Sequence, residues 1–225
     1  MPYSRRRYRK KRKKHPLYRG RRRRNKRNRM SYNRVRQVSG MPDRLNVMLR
    51  YSDSTTHNTA FSASQTWALN GMYDPDITGT GTQPNGFDQF MAFYERYEVR
   101  ASKIIYWLSN NGTVQCQAVI YPSHDSVAVG VNTGSEQPYS KRIMLAGKDS
   151  QPSKVLTNYI TVKKLEGRAI DSVNFTGTSS SNPTSLKYWQ FAIISNDAIS
   201  NLDVFTKQTI IYYCSFFRRK SLTTS

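Results

Sequence analysis

The sequence predicts an all-β fold, a two-sheet sandwich preceded by a basic N-terminal arm. Residues 1–44 contain 20 Lys/Arg and one acid, whereas residues 45–225 contain 16 Lys/Arg and 13 acids. The first fifth of the chain therefore carries +19 of the net charge of +22. The remainder contains six segments in which apolar and polar residues alternate, as in half-buried strands. Long polar segments join them and few helices are indicated, which favours a sandwich over a parallel α/β sheet.

Residues 1–43 are predicted to be a disordered, Arg-rich arm and linker, and residues 44–225 to be the folded domain. Positions 5–29 contain 12 Arg, 5 Lys and no acid. Like charges repel along such a segment, and it offers few aliphatic side chains to bury. The boundary is placed at SGMPDR (39–44), because Gly, Pro and Asp are typical of chain junctions.

The arm is predicted to bind nucleic acid. Lys and Arg neutralise phosphates and release counterions, and a guanidinium group makes two hydrogen bonds to a phosphate. Tyrosines interleaved with the charges can stack on unpaired bases, which favours a single strand. The predicted nucleic-acid-binding residues are Arg5, Arg6, Arg7, Arg9, Lys10, Lys11, Arg12, Lys13, Lys14, Arg19, Arg21, Arg22, Arg23, Arg24, Lys26, Arg27, Arg29, Tyr8 and Tyr18.

Two basic clusters within the arm also fit nuclear import signals. They are RRRYRKKRKK (5–14) and RGRRRRNKR (19–27). Import and nucleic-acid binding are compatible because they would act at different times. The sequence leaves open which cluster serves import.

The first three strands of the domain are predicted at 44–51, 97–109 and 113–121. In the first, Leu, Val and Tyr at odd positions alternate with Asn, Met and Arg at even positions. The second is rich in β-branched and aromatic residues, and the third alternates from Val114 to Ile120.

One short helix is predicted between the first two strands, at 87–97, with Asp88 near its start. The later strands show the same alternation as the earlier ones. They are predicted at 155–164, 186–195 and 208–217.

Two cysteines, Cys116 and Cys214, lie far apart in the sequence, each within an apolar alternating stretch. They are interpreted as small buried core residues of a protein in a reducing compartment. A disulfide between them stays open at this stage.

The sequence offers no convincing catalytic or metal site, so no enzyme activity and no cofactor is expected. His15, His57 and His124 show no HxxxH, HExxH or CxxC context. Asp74 and Asp76 in YDPD could hold a cation or a metal-dependent nuclease centre. We predict instead that they hydrogen-bond turn backbone, because Asx-Pro is turn chemistry. No secretory signal and no run of eighteen apolar residues is present, so no membrane insertion is expected.

Four stretches of the sequence carry a resemblance to a known family. The most specific is YDPDITGTGTQPNGFDQFMAFYERYEVRASKI (73–104), in which a Gly/Pro loop leads through GFDQ into a Tyr-rich strand. The others are the basic start 1–14, the segment 137–167 and the last strand TIIYYCSFFRR (209–219). Over essentially its whole length the chain resembles the capsid (coat) proteins of small circular single-stranded DNA viruses, the circovirus-like group.

That resemblance implies a single jelly-roll β-sandwich of two four-stranded antiparallel sheets. It implies that sixty copies form a T=1 icosahedral shell, with the arm facing inward to package a circular single-stranded DNA genome. The implied partners are other copies of the chain, the genome, host nuclear import receptors and an unidentified host cell-surface receptor. The implied locations are the virion and the host nucleus.

A jelly roll of eight strands requires two more than the six predicted, and 140–146 and 169–175 are the candidates. The jelly-roll topology also conflicts with a local prediction. The stretch SNNGT (109–113) predicts a tight Asn-Gly hairpin that joins two strands of one sheet. In a jelly roll those flanking strands belong to opposite sheets.

Two other classes of protein stay open on the residues alone. One is a cellular nucleic-acid-binding protein with a basic tail, such as a ribosomal or chromatin component, which would be a monomer. The other is a DNA-processing enzyme that uses Asp74 and Asp76.

Overall fold

The two predicted sheets are present, and all their strand pairs are antiparallel. The structure is a computed structural model that describes residues 41–58, 60–78 and 82–221. Residues 1–40 of the arm that was predicted to be disordered lie outside this part, and residues 41–43 lie within it. The strands found there are β1 Arg44–His57, β2 Ser62–Ala68, β3 Tyr94–Asn110, β4 Cys116–Ser123, β5 Lys141–Leu145, β6 Ser153–Thr161, β7 Thr176–Gly177, β8 Tyr188–Ser195 and β9 Val204–Arg219. The helical elements are α1 Phe87–Phe93, α2 Val131–Glu136, α3 Val162–Glu166 and a 3-10 helix at Val173–Phe175.

The order of strand pairing identifies the jelly roll. One sheet has the order β1-β9-β3-β6, and the other has the order β2-β8-β4-β5. The two-residue β7 pairs with β3 and makes the first sheet five-stranded. Apart from β7, the first strand pairs with the last, the second with the seventh, the third with the sixth and the fourth with the fifth. This nested pairing is a long hairpin folded over itself, so the predicted fold class is confirmed.

The hairpin predicted at 109–113 is wrong, because this segment crosses between the sheets. Asn110 ends β3 in the five-stranded sheet, and Cys116 begins β4 in the four-stranded sheet. The buried Asn110 amide donates to the carbonyls of Val114 and Ala146, at 2.8 and 2.9 Å, and its oxygen accepts from Gly112 N at 3.0 Å. The turn backbone is thus satisfied by a side chain, which removes the need for a hairpin ladder.

The remaining strand predictions differ in outcome. The candidate at 140–146 is confirmed as β5, whereas 169–175 contains a 3-10 helix and no strand. The prediction for 155–164 is wrong at its end, because the Thr161 hydroxyl accepts a hydrogen bond from Lys164 N and begins α3. The other predicted strands match β1, β3, β4, β8 and β9 with shifted ends, and β2 was missed.

The helix predicted at 87–97 is present but ends at Phe93, because Tyr94 to Tyr97 already belong to β3. Gly86 precedes this helix with a φ of 91°, a conformation that glycine adopts without strain. Helix α2 was not predicted, since VNTGSE has few apolar residues.

Large aromatic side chains fill the space between the sheets. Trp67 Nε1 of the four-stranded sheet donates to the Tyr106 hydroxyl of the five-stranded sheet at 2.6 Å. Trp189 Nε1 makes a second bond of this kind, to Ser102 Oγ at 2.9 Å. The Tyr106 ring stacks on Phe191 with centroids 4.3 Å apart. Hydrophobic contact and directed hydrogen bonds therefore hold the two sheets together.

Both cysteines are buried and free, so their predicted place in the core is confirmed. Cys116 lies in β4 and Cys214 in β9, in different sheets. Burial raises the pKa of Cys116 to about 11 and that of Cys214 to about 12. Their thiols therefore stay protonated at neutral pH and are poor nucleophiles. No helix within the described residues is long and apolar enough to cross a membrane.

Candidate nucleic-acid interface

All nineteen predicted nucleic-acid-binding residues lie within positions 5–29, outside the described part of the chain. Their role therefore stays a prediction. The structure does describe the junction at which the polypeptide leaves the domain toward the arm. That junction runs from Met41 to Arg44.

The junction is held by side chains from the ends of two neighbouring strands. Arg219 Nη1, at the end of β9, donates to the Met41 carbonyl at 3.0 Å, and its guanidinium lies 3.9 Å from the Asp43 carboxylate. The Tyr94 hydroxyl, at the start of β3, donates to the Pro42 carbonyl at 2.7 Å. The polypeptide thus leaves the domain at one end of the five-stranded sheet.

The outer face of the five-stranded sheet combines cations with large apolar side chains. Alternation along β1, β9, β3 and β6 identifies the outward positions. Across these four strands, which are described in full, Glu98 is the one acid at an outward position. The outward cations are Arg44, Arg50, Arg96, Lys103, Lys207 and Arg219, and the exposed apolar residues include Met48, Trp107, Tyr159, Phe205 and Tyr213. We call this surface the open face.

The outer face of the four-stranded sheet is different, because α2 covers part of it. Val119 and Tyr121 of β4 are buried against Val131 of α2. The close approach of α2 to β4 depends on Gly134, because a Cβ added there would lie 2.8 Å from the Tyr121 ring. The two faces of the sandwich are therefore not equivalent.

One end of the open face is a basic pocket of about 560 Å³. Its polar wall holds five cations and two acids, and its apolar wall includes an aromatic ring. The Arg44 guanidinium lies 5.0 Å from the centre of the Phe217 ring and 3.5 Å from Glu98. The charged and apolar residues that line it are Arg44, Arg96, Glu98, Arg100, Lys163, Ile170, Asp171, Val173, Phe217 and Arg218. We call this cavity the basic pocket.

Irregular backbone places several of these cations in the basic pocket. The register of β3 against β9 shifts between Val99 and Ala101, so Arg100 occupies a bulge. Arg218 has a φ of 55°, in the left-handed region. Lys163 is the second residue of α3, which begins after the Thr161 cap. Sequence reasoning missed this site because its residues come from segments far apart, and alternation does not reveal a bulge.

Asp74 and Asp76 are part of a turn held by a neighbouring side chain. Asp76 Oδ1 accepts from Thr78 N at 3.1 Å, which confirms the turn role predicted for it. Asn182 holds the Asp74 backbone: its Oδ1 accepts from Asp74 N, and its Nδ2 donates to Asp74 O. Burial and the neighbouring Asp76 raise the pKa of Asp74. Among the described residues, no group of three or more His, Cys, Asp or Glu is placed to hold a metal.

A second polar cluster that the sequence did not indicate surrounds Glu166 at the end of α3. Lys187 Nζ lies 3.0 Å and Arg168 Nη2 lies 2.9 Å from its carboxylate oxygens, and His124 Nδ1 lies 3.9 Å away. The hydrogen bond from Lys187 is the main cause that lowers the pKa of Glu166. The ion pair with Lys187 connects α3 to the segment before β8.

Comparison with known proteins leaves the family of the chain open. No protein-family model matches it, and no curated protein matches it. The structure of a semi-empty virus-like particle of Macrobrachium rosenbergii nodavirus is similar at 14% identity and a TM-score of 0.49, over 84% of this chain and 100% of that one. Desmodium yellow mottle tymovirus is similar at 11% identity and a TM-score of 0.41, over 84% and 95% of the two chains.

A third solved structure is a T=1 subviral particle of a Penaeus vannamei nodavirus capsid protein deletion mutant. It is 16% identical, with a TM-score of 0.42, over 76% of this chain and 98% of that one. With such identities and TM-scores below 0.5, these similarities add nothing to the fold assignment. The jelly roll rests on the nested strand pairing of the chain itself.

Proposed function

We propose that this chain is a non-enzymatic viral capsid protein that assembles into a closed shell and packages single-stranded nucleic acid. The observation that carries the proposal is the division of charge: residues 45–225, which form nearly all of the jelly roll, have a net charge of +3, whereas residues 1–44 have a net charge of +19. A rigid sandwich suits packing against copies of itself, whereas a one-sign arm suits a polyanion. Neither part suggests a catalytic centre.

The finer form of the proposal follows the resemblance to coat proteins of small circular single-stranded DNA viruses. Sixty copies would form a T=1 shell through heterologous contacts that close around symmetry axes. Sixty arms, each with 17 Lys/Arg at positions 5–29, would bring about a thousand positive charges to the interior. That number balances about a thousand phosphates, a substantial share of a small single-stranded genome.

The asymmetry of the sandwich supports one orientation in the shell. The polypeptide leaves the domain toward the arm at an end of the open face, through the contacts of Arg219 and Tyr94. An arm that holds the genome must enter the lumen, so the open face would look inward. The face covered by α2 and the long loops would then look outward, where a host cell-surface receptor would contact them.

Nuclear import by host receptors is a separate part of the proposal and rests on the two basic clusters of the arm. Replacing the Lys/Arg of 5–14 by Gln, or those of 19–27, in the full chain would separate their contributions. Fluorescence microscopy of cells expressing each variant is the measurement. Nuclear exclusion of one variant assigns import to that cluster, and unchanged nuclear accumulation of a variant lacking both clusters contradicts this part.

Electron microscopy of the purified full chain tests the central proposal. We expect uniform shells about 20 nm across, with an absorbance ratio that indicates packaged nucleic acid. A chain lacking residues 1–43 should lose the nucleic acid, because its net charge falls from +22 to +4. A monodisperse monomer bound to one defined cellular RNA or DNA would contradict the proposal and favour a cellular nucleic-acid-binding protein. Loss of a metal-dependent nuclease activity in an Asp74→Asn, Asp76→Asn variant would favour an enzyme instead.

A further inference from the structure

The basic pocket supports an inference about the folded domain, separate from the arm. We propose that the basic pocket binds the sugar-phosphate backbone of a single-stranded nucleic acid, as a second contact with the packaged strand. The inference rests on the proposed function, since the ligand is the strand that the shell would enclose. It adds a site in the folded domain, where the sequence indicated none.

The charge of the basic pocket is unbalanced. Arg44, Arg96, Arg100, Lys163 and Arg218 face two acids, Glu98 and Asp171. Glu98 is paired with Arg44 at 3.5 Å. Within the described part of the chain, no carboxylate lies within 4.0 Å of the charged nitrogens of the other four cations. Like charges in one concavity repel, so an anion that enters it relieves a cost already present in the folded domain.

The basic pocket also departs from regular strand geometry where it gains its cations. Arg100 lies in the bulge of β3, and Arg218 adopts the left-handed conformation that non-glycine residues rarely adopt. Bulges and left-handed non-glycine residues are enriched at binding and active sites. Both arginines line the same cavity. The pair of irregularities is therefore consistent with a built binding site.

Shape and wall chemistry distinguish a nucleotide from a simple anion. The volume of about 560 Å³ is in the range of small-ligand sites. Ile170, Val173 and Phe217 supply an apolar wall that a sugar or base can contact, opposite the cations that suit a phosphate. An inorganic ion would leave the apolar wall unused. A nucleotide segment uses both walls.

The location of the basic pocket matches a strand that is already bound to the arm. Arg44, which lines it, is the first residue of β1. The chain therefore passes from the arm region into the domain at the rim of the basic pocket. An acidic segment of another copy is a poor alternative occupant, because no two Asp or Glu residues are adjacent anywhere in the 225 residues.

Lysine footprinting of the full chain tests the inference. Lys163 in the basic pocket is compared with Lys141 on β5 of the other sheet, which is also exposed. Each is acetylated in the presence of oligo-dT, oligo-U, inorganic phosphate or poly-glutamate, under conditions in which sedimentation shows no change of assembly state. We expect both oligonucleotides to protect Lys163 several-fold and to leave Lys141 reactive. Protection by oligo-dT alone would specify DNA.

A charge-matched pair of variants gives a second readout. Arg100→Gln with Lys163→Gln removes two cations from the basic pocket, and Lys141→Gln with Arg142→Gln removes two from β5. Oligo-dT binding is measured over a series of salt concentrations. Each phosphate contact of a single strand contributes about 0.7 to the magnitude of the slope of log affinity against log salt concentration. The pocket variant, which lacks two cations, should therefore reduce that magnitude by about 1.4. The β5 variant should keep the slope of the unchanged chain.

Three outcomes would overturn the inference. They are equal protection of Lys163 and Lys141 by oligonucleotide, protection of Lys163 by phosphate or poly-glutamate but not by oligonucleotide, and equal salt slopes in the two variants. If the chain forms filled shells while these results appear, the proposed capsid function stands and the pocket assignment fails. If Lys163 is protected but no shells form, the pocket stands and the capsid function fails.

Discussion

The hydrogen bond from Trp67 to Tyr106 crosses the interior of the sandwich, and Tyr106→Phe removes its acceptor. The Tyr106 hydroxyl receives the Trp67 indole N–H at 2.6 Å and donates to Gln65 Oε1 at 3.4 Å. Both aromatic residues are buried: Trp67 has an exposed fraction of 3% and Tyr106 of 0%. The substitution keeps the ring and its stack on Phe191, so it creates almost no cavity.

The expected loss is the cost of a buried donor without an acceptor. Trp67 is buried, and a buried donor left without an acceptor costs about 1–3 kcal/mol. The bond to Gln65 is long and contributes little. We therefore expect Tyr106→Phe to lower the free energy of unfolding by about 2 kcal/mol.

Urea unfolding of the chain, followed by tryptophan fluorescence, measures this loss. Tyr159→Phe is the matched control, because its ring lies on the open face with 53% of the residue exposed. It should change stability by less than about 0.5 kcal/mol. A double-mutant cycle with Trp67→Phe should show coupling, since the orphaned donor is then absent. Equal losses in Tyr106→Phe and Tyr159→Phe, or an additive cycle, would refute the reasoning.

Three further predictions concern single side chains. Asn182 Oδ1 accepts hydrogen bonds from Tyr73 N, Asp74 N and the Tyr97 hydroxyl. Asn182→Ala should therefore lower the free energy of unfolding by about 2–3 kcal/mol and speed proteolytic cleavage within residues 71–78. Unchanged cleavage would contradict this role. Burial lowers the pKa of His57, so the unfolded chain binds more protons and stability falls as pH drops below about 6.5. His57→Gln should therefore show a smaller fall in melting temperature than the unchanged chain between about pH 7.5 and pH 5.5, and an equal fall would refute the assignment. Gln208→Met should raise stability by about 1 kcal/mol in urea unfolding, because both amide atoms of Gln208 are buried without a hydrogen-bond partner in the described residues; a loss of stability would show that the amide is satisfied.

Most of the β-rich character of the domain could be predicted from local pattern. Alternation located β1, β3, β4, β6, β8 and β9 because their side chains face a core on one side. The pattern failed for β2, where SASQTWA is largely polar and only its last two residues are buried. It failed again after Thr161, where one hydroxyl cap starts a helix within an apolar run.

The candidate interface could be predicted only in part from the sequence. Composition alone pointed to the arm, since 17 cations within 25 residues need no tertiary structure to attract phosphate. The basic pocket could not be found in this way. Arg96, Arg100, Lys163 and Arg218 are ordinary surface charges in the sequence, and the strand register and a bulge bring them to one cavity.

The charged arm region and the nearly neutral β domain could be distinguished from the amino-acid sequence alone, because charge and alternation are local properties. The tertiary structure decided which strands pair, since β1 meets β9 more than 140 residues away. It also decided that 109–113 crosses between the sheets, where the Asn110 amide satisfies the turn backbone in place of a hairpin ladder. Pairing and crossing depend on contacts between distant segments, and no local pattern contains that information.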